Sequence, residues 1–145
     1  MFVRSIVESK QIRQIVTIKP EESITSAAQL LARHRIGALV VSLDGVTVEG
    51  IISERDIVRA LGTEGVACMT RTVGELMTSD VHGSRLDERA SSVVERMTHG
   101  RFRHMPVLED GRLVGLISIG DVVKAHIDEI KHENTALTEM ITNSW

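Results

Sequence analysis

Cysteine is almost missing from this chain. Cys68 stands alone among 145 residues, which excludes an internal disulfide and any multi-cysteine metal site. Aromatic rings are nearly as scarce: Phe2, Phe102 and Trp145 are too few to build a base-stacking platform for single-stranded nucleic acid. Neither sign of charge dominates. The net charge of −3 is spread over interspersed acids and bases, so no long-range field draws the chain to nucleic acid. No stretch approaches the ~20 apolar residues of a membrane span. The opening Met1-Phe2-Val3-Arg4-Ser5-Ile6 lacks the apolar run of a signal peptide. The expected compartment is the cytoplasm, with neither nucleic acid nor membrane as partner.

The linear signatures of catalysis are missing too. There is no Gly-x-Ser-x-Gly elbow, no Gly-x-x-x-x-Gly-Lys-Ser/Thr loop and no Gly-x-Gly-x-x-Gly. His132-Glu133 lacks the second histidine of a zinc protease, because Ala136 occupies its place. His82, His99 and His104 are scattered, without the helical spacing of zinc ligands. An enzyme, a metal site and a catalytic cofactor are therefore not expected.

What the chain has is a repeat. Gly50-Ile51-Ile52-Ser53-Glu54-Arg55-Asp56 returns as Gly115-Leu116-Ile117-Ser118-Ile119-Gly120-Asp121, and each copy runs into an apolar helix start, Ile57-Val58 or Val122-Val123. Upstream, Leu43-Asp44-Gly45 answers Glu109-Asp110-Gly111, and Leu31 answers Met97. A period of this size marks a duplicated supersecondary unit. Each copy is near the lower size limit for burying an adequate core alone, so the two are expected to share one.

Within a copy the pattern reads β-α-β-β-α. A helical turn over residues 3–9 is matched by Val73-Gly74-Glu75-Leu76-Met77-Thr78. The β-branched Ile15-Val16-Thr17-Ile18 predicts a strand closed by Pro20, with a counterpart around Asp80-Val81-His82. Ser23 is the expected N-cap of a helix whose apolar stripe is Ile24, Ala27, Ala28 and Leu31. Asp87 is the candidate cap in the second copy, before Ala90, Val93, Val94 and Met97. Strand pairs 38–42 with 46–52, and 105–108 with 113–117, are expected around Asp44-Gly45 and Asp110-Gly111, because Asp-Gly suits the positive φ of tight hairpins. The expected units are a first repeat over 3–61, a linker over 62–72, a second repeat over 73–127 and a helical tail over 128–145. The tail carries apolar residues at Ile127, Ile130, Leu137, Met140 and Ile141, interrupted by Asn134. It either packs back on its own body or makes a dimer contact in which a lone Asn fixes register.

Two readings of Ser-x-x-Asp stand side by side. It is a helix-capping box. It also places a carboxylate able to accept both hydroxyls of a ribose, a hydroxyl able to meet phosphate, and helix-start amides that attract anions. Arg101-Phe102-Arg103-His104-Met105-Pro106 enters the second copy's hairpin with three basic side chains, at a strand that Pro106 should leave at a sheet edge. Arg101 and Arg103 are either solvated surface charges or, with His104, phosphate ligands. Arg55 offers the same choice.

The doubled Gly-apolar-apolar-Ser-x-x-Asp, the Arg103-His104-Met105-Pro106-Val107 entry and the two hairpins resemble a tandem pair of CBS domains, over about residues 3–127. The resemblance implies an α+β fold: two repeats about a pseudo-twofold axis, their three-stranded sheets facing each other, with a C-terminal helical extension. It implies two clefts for adenine nucleotides (AMP first, also ADP, ATP, NAD(H) or S-adenosylmethionine) and a flat homodimer. Carried over residue by residue, Thr17, Ile36, Gly37 and Ala38 would hold the base in one cleft, completed by Leu116, Ser118 and Asp121. The other would use Val81, His82, Met105, Ile51, Ser53 and Asp56, with Arg103 and His104 on the phosphate. Gly37-Ala38 replaces the basic pair in the first copy, and Val40 replaces the proline, so unequal clefts are expected. The function implied is a regulatory module that responds to an adenine nucleotide. The alternative is a dimerisation module whose Ser-x-x-Asp motifs only cap helices.

Overall fold

The structure, a computed structural model, describes residues 1–10 and 15–143; Ser144 and Trp145, the end of the expected tail, lie outside the described residues. Two three-stranded sheets form the frame, in the orders β1-β2-β3 and β4-β5-β6. In the first sheet β1 (Thr17–Ile18) pairs parallel with β2 (Ala38–Val41), which pairs antiparallel with β3 (Gly50–Ser53). In the second, β4 (Ser84–Arg85), β5 (His104–Glu109) and β6 (Arg112–Ser118) repeat that arrangement. The helices are α1 (Val3–Ser9), α2 (Ile24–His34), α3 (Glu54–Glu64), α4 (Val73–Leu76), α5 (Ala90–Gly100) and α6 (Ile119–Asn143). The α+β class, the two related halves and the C-terminal helix are as the repeat requires. Among the described residues, no helix is long and apolar enough to cross a membrane.

Every residue of β2 is buried. Leu39 and Val41 point into one apolar cluster with Ile24, Ala27 and Leu31 of α2. Alternation along a strand sends Ala38 and Val40 to the opposite face, where they too are buried. That second buried face is what facing sheets produce. Pro106, the counterpart of Val40, is buried likewise. It lies in a central strand rather than at the expected edge, but β4 pairs with β5 only at Val107 and Leu108, so at Pro106 only β6 lies alongside.

The expected single shared core is instead two clusters, each closed by a piece of the other sequence segment. Val3 and Ile6 of α1 pack with Ala90, Val93, Met97, Met105, Val107, Ile117 and Val122. Val73 of α4 packs with Ile18, Ile24, Leu39 and Ile52. The backbone follows the same exchange: Val3 N donates to Glu88 O and Arg4 N to Leu86 O, while Val73 N donates to Glu22 O and Gly74 N to Pro20 O. Neither half buries its apolar face without a helix from across the chain.

Several local expectations need correction. The counterpart of β1 falls at Ser84–Arg85, not at Asp80-Val81-His82, because register across the central strands aligns Ile18 with Ser84. Asp87 does not cap α5; it pairs with Arg85, and Arg89 takes the N-cap position without a side-chain bond. Asp110 and Gly111, at φ 51° and 76°, form the tight turn expected of Asp-Gly. The first hairpin is looser, and residues 46–49 are not strand. There the Asp44 carboxylate accepts from Val46 N, Thr47 N, Thr47 Oγ1 and the Ser42 hydroxyl, which stitches a wider loop and holds Asp44 well below the usual carboxylate range. Residues 62–72 are mostly helical: α3 runs to Glu64 and a 3-10 helix (Gly65–Thr70) buries Cys68 completely.

Candidate functional site

Both Ser-x-x-Asp junctions adopt full capping-box geometry. Ser53 N donates to Asp56 Oδ2 at 2.9 Å, Ser53 Oγ donates to the same oxygen at 3.0 Å, and Asp56 N donates to Ser53 Oγ at 3.4 Å. At the second junction Ser118 N donates to Asp121 Oδ2 at 2.8 Å and Asp121 N to Ser118 Oγ at 3.1 Å. The cap therefore consumes Oδ2 of each carboxylate; among the described residues no hydrogen bond reaches Oδ1. Capping and ligand binding are compatible uses of one motif. The helix-start amides are less available than the sequence suggests. Glu54 N donates to Gly37 O and Ile119 N to Arg103 O, so with the Ser-bound amides two of the first three in each helix are taken. Attraction for an anion has to come mainly from side chains.

Each junction opens onto a cleft. The first, of about 450 Å³, is lined by Ile51, Ser53, Asp56, Val81, His82, Arg103 and His104. Its walls also include Arg55, Arg59 and Arg101, giving four guanidinium groups against the carboxylates of Glu54, Asp56 and Asp80. Phe102 and His82, both part of its wall, lie nearly parallel and stacked with ring centres 4.9 Å apart. The second cleft, of about 520 Å³, gathers Ile36, Gly37, Ala38, Leu116, Ser118 and Asp121. Its cationic side chains are Lys10 and Arg35, opposite Glu8 and Asp121. Their cations distinguish them as an arginine cleft and a lysine cleft.

Two of the carried-over residues are not brought to the clefts. Met105 is fully buried in the second apolar cluster. Thr17 is held in β1 beside Val40, and Ile15 and Val16 line the lysine cleft in its stead. Lys10 was not legible as a site residue. Its ammonium lies 2.9 Å from Asp121 Oδ2 and 2.7 Å from Leu116 O, more than a hundred positions away in sequence. Burial pushes the Asp121 carboxyl up, but the Ser118 amide and the Lys10 ammonium more than offset this and hold it below its ordinary value. Arg35 and Arg101 occupy matching left-handed C-cap positions, at φ 54° and 57°, turning the chain from helix into the strands that edge the clefts.

His104 and Gly37 line both clefts. They meet across the pseudo-twofold: a methyl group placed on Gly37 would lie 3.2 Å from His104 Cε1 and Nε2. The small residue in the first copy thus makes room for the imidazole of the second, and the ring forms the septum between the clefts. Burial pushes the His104 imidazole below its ordinary value of 6.5; Asp121 and Glu54 pull it up, and Lys10 and Arg103 push it down. The unfolded chain therefore takes up this proton at higher pH than the folded one, and stability falls as pH drops through about 6.5, levelling off below the folded value. The urea midpoint should fall between pH 7.5 and 5.5, and fall less in His104→Gln. An equal fall in both proteins would remove His104 as its source.

Comparison with known proteins identifies the fold. The family model described as "CBS domain" matches residues 3–63 and 73–128. The chain is 31% identical over 129 residues to the mitochondrial CBS domain-containing protein CBSX3 of Arabidopsis thaliana, spanning 86% of this chain but 63% of that protein. Among solved structures it resembles the CBS-domain containing protein ATU1752 from Agrobacterium tumefaciens, with 45% identity, a TM-score of 0.82 and coverage of 87% of this chain and 99% of the other. It also resembles the CBS domain pair of protein MJ0100 in complex with 5-methylthioadenosine and S-adenosyl-L-methionine, with 28% identity, a TM-score of 0.77 and coverage of 89% and 98%.

Proposed function

Because this chain belongs to the CBS-domain family, as two tandem copies, we propose that it is a regulatory module binding adenine nucleotides, with AMP in the arginine cleft. Four guanidinium groups around one Ser-x-x-Asp junction carry this reading. Guanidinium forks suit a phosphate, the free oxygen of Asp56 suits a ribose diol, and the Phe102–His82 wall suits a planar base. ADP, ATP and NAD(H) present the same adenosine and more phosphate, and compete for that cleft. The lysine cleft, with fewer cations, suits an adenosyl ligand without phosphate; a structural relative is solved with two such ligands. The module acts in the cytoplasm as a homodimer, and its output is a rearrangement of repeats or subunits, limited by the ligand's differential affinity for the two arrangements. It works by binding rather than by catalysis.

Titration calorimetry with AMP, ADP, ATP, NADH, S-adenosylmethionine and 5-methylthioadenosine tests this directly. AMP should bind more tightly than adenosine, and at a hundred times its Kd it should stabilise the fold by about 2.7 kcal/mol. The complete capping boxes favour one second reading, a dimerisation module whose Ser-x-x-Asp motifs serve helix ends only. That reading requires a thermal shift near zero with every adenosine compound, and such a result would end the nucleotide proposal.

A further inference from the structure

The far end of α6 leaves the body. Beyond Glu129 nearly every described residue is exposed, yet an apolar row continues along the helix. Val123, Ile127, Ile130, Asn134, Leu137 and Ile141 follow one another at steps of 4, 3, 4, 3 and 4, which is a heptad seam with Ile127, Asn134 and Ile141 at a and the others at d. Val123 is 44% exposed, Ile130 43% and Leu137 56%. The body lies on the opposite side of the helix: Val122 is buried there, Ala125 packs on the second cluster, and Glu129 Oε1 pairs with the amino terminus at 3.3 Å. The seam is thus not the face that folding consumes, and most of it lies past residue 128, where the family match ends.

We propose that this seam joins two copies of the chain as a parallel, in-register two-stranded coiled coil. Asn134 selects the occupant and its direction. In a parallel pair the two Asn134 amides meet at one a layer and bond each other, whereas an antiparallel partner sets each amide against an apolar d residue and leaves it unsatisfied. Charge selects the same way. Antiparallel chains bring e against e and g against g, which sets Lys131 near its own copy and Glu133 near its own copy; parallel chains bring Glu133 toward Thr138. From Val123 to Ile141 the seam spans about 27 Å at ~1.5 Å per residue. Only the part of α6 beyond Glu129 projects from the body, and a helical segment of about that length gains little from propensity alone, so burying its apolar seam against a second copy would stabilise it. The interface is separate from the clefts and stands whether or not they bind nucleotide.

Sedimentation equilibrium of the full chain at tens of micromolar should return a dimer. Ile130→Asp combined with Leu137→Asp alters only exposed positions; it should raise the dimer dissociation constant on the order of thirtyfold while cooperative unfolding of the body is retained. Leu137→Cys, read by oxidation in the dimer, reports direction: adjacent d positions cross-link in a parallel pair and lie far apart in an antiparallel one. A monomeric wild type, or a dimer indifferent to the two aspartates, overturns the proposal. A dimer in which Leu137→Cys fails to cross-link overturns the parallel geometry.

Discussion

Asp56→Ala should weaken AMP binding by about a hundredfold. Hydrogen bonds to a carboxylate are worth roughly 1.5–3 kcal/mol each, so the two from a ribose diol total about 3–6 kcal/mol, and losing the low end of that is roughly two decades in Kd. Here the acid is ready-made for that role, since Ser53 N and Ser53 Oγ both fix Oδ2 and leave Oδ1 to the cleft. The same substitution removes a capping box, which costs the fold about 1 kcal/mol on its own. Asp56→Asn separates the two effects, keeping an acceptor for the Ser53 amide while losing the charge. It should recover most of the stability and little of the affinity. Asp121→Ala is the matched control in the lysine cleft. It should abolish binding of a phosphate-free adenosyl ligand and release Lys10, yet reduce AMP affinity only where AMP also occupies that second cleft. Calorimetric stoichiometry distinguishes these cases. AMP binding unchanged in both aspartate variants would remove the carboxylates from the site.

Gly50→Ala should destabilise the fold by about 2–3 kcal/mol, the upper range for forcing extra volume into a packed interior. A methyl group at Gly50 would lie 2.8 Å from Thr78 O and 2.6 Å from Met77 Sδ. The thioether can swing away, but Thr78 cannot retreat cheaply. Ile51 N donates to Thr78 O at 2.9 Å and Thr78 N donates to Ile51 O at 2.8 Å, so backing off breaks both bonds that tie α4 and its exit to the first sheet. At the equivalent Gly115 the tight contacts would be the methyl groups of Val7, at 3.1 and 3.3 Å, with Val107 Cβ at an ordinary 3.6 Å. The Val7 side chain can shift by a few tenths of an ångström, and Gly115→Ala should cost less than about 1 kcal/mol. Urea denaturation of the two variants measures the difference. Equal losses would mean that α4 is not held at Gly50 as the backbone bonds indicate. The pair also explains why glycine opens both copies of the motif: each lets a segment exchanged from the other half come close to the sheet.

The amino-acid sequence by itself determined most of what depends on neighbours within a turn or two, the missing Asp87 cap and the wide Asp44-Gly45 loop excepted. The duplicated Ser-x-x-Asp, the Ser23 cap, the apolar rows of α2 and α5, the Asp110-Gly111 turn and the long last helix are all set by spacing of a few residues, where propensity and periodicity act. The unequal chemistry of the two copies was legible for the same reason, since Gly37-Ala38 and Arg103-His104 hold matching positions in an alignment of the chain with itself. Tertiary structure alone decided the rest. That α1 closes the second core and α4 the first, that β4 begins at Ser84, that Lys10 reaches Asp121, and that His104 stands between both clefts are facts of pairing over tens of residues or more. Such contacts leave no period in the chain. They are selected by which apolar faces remain to be covered once each repeat has folded as far as its own residues allow.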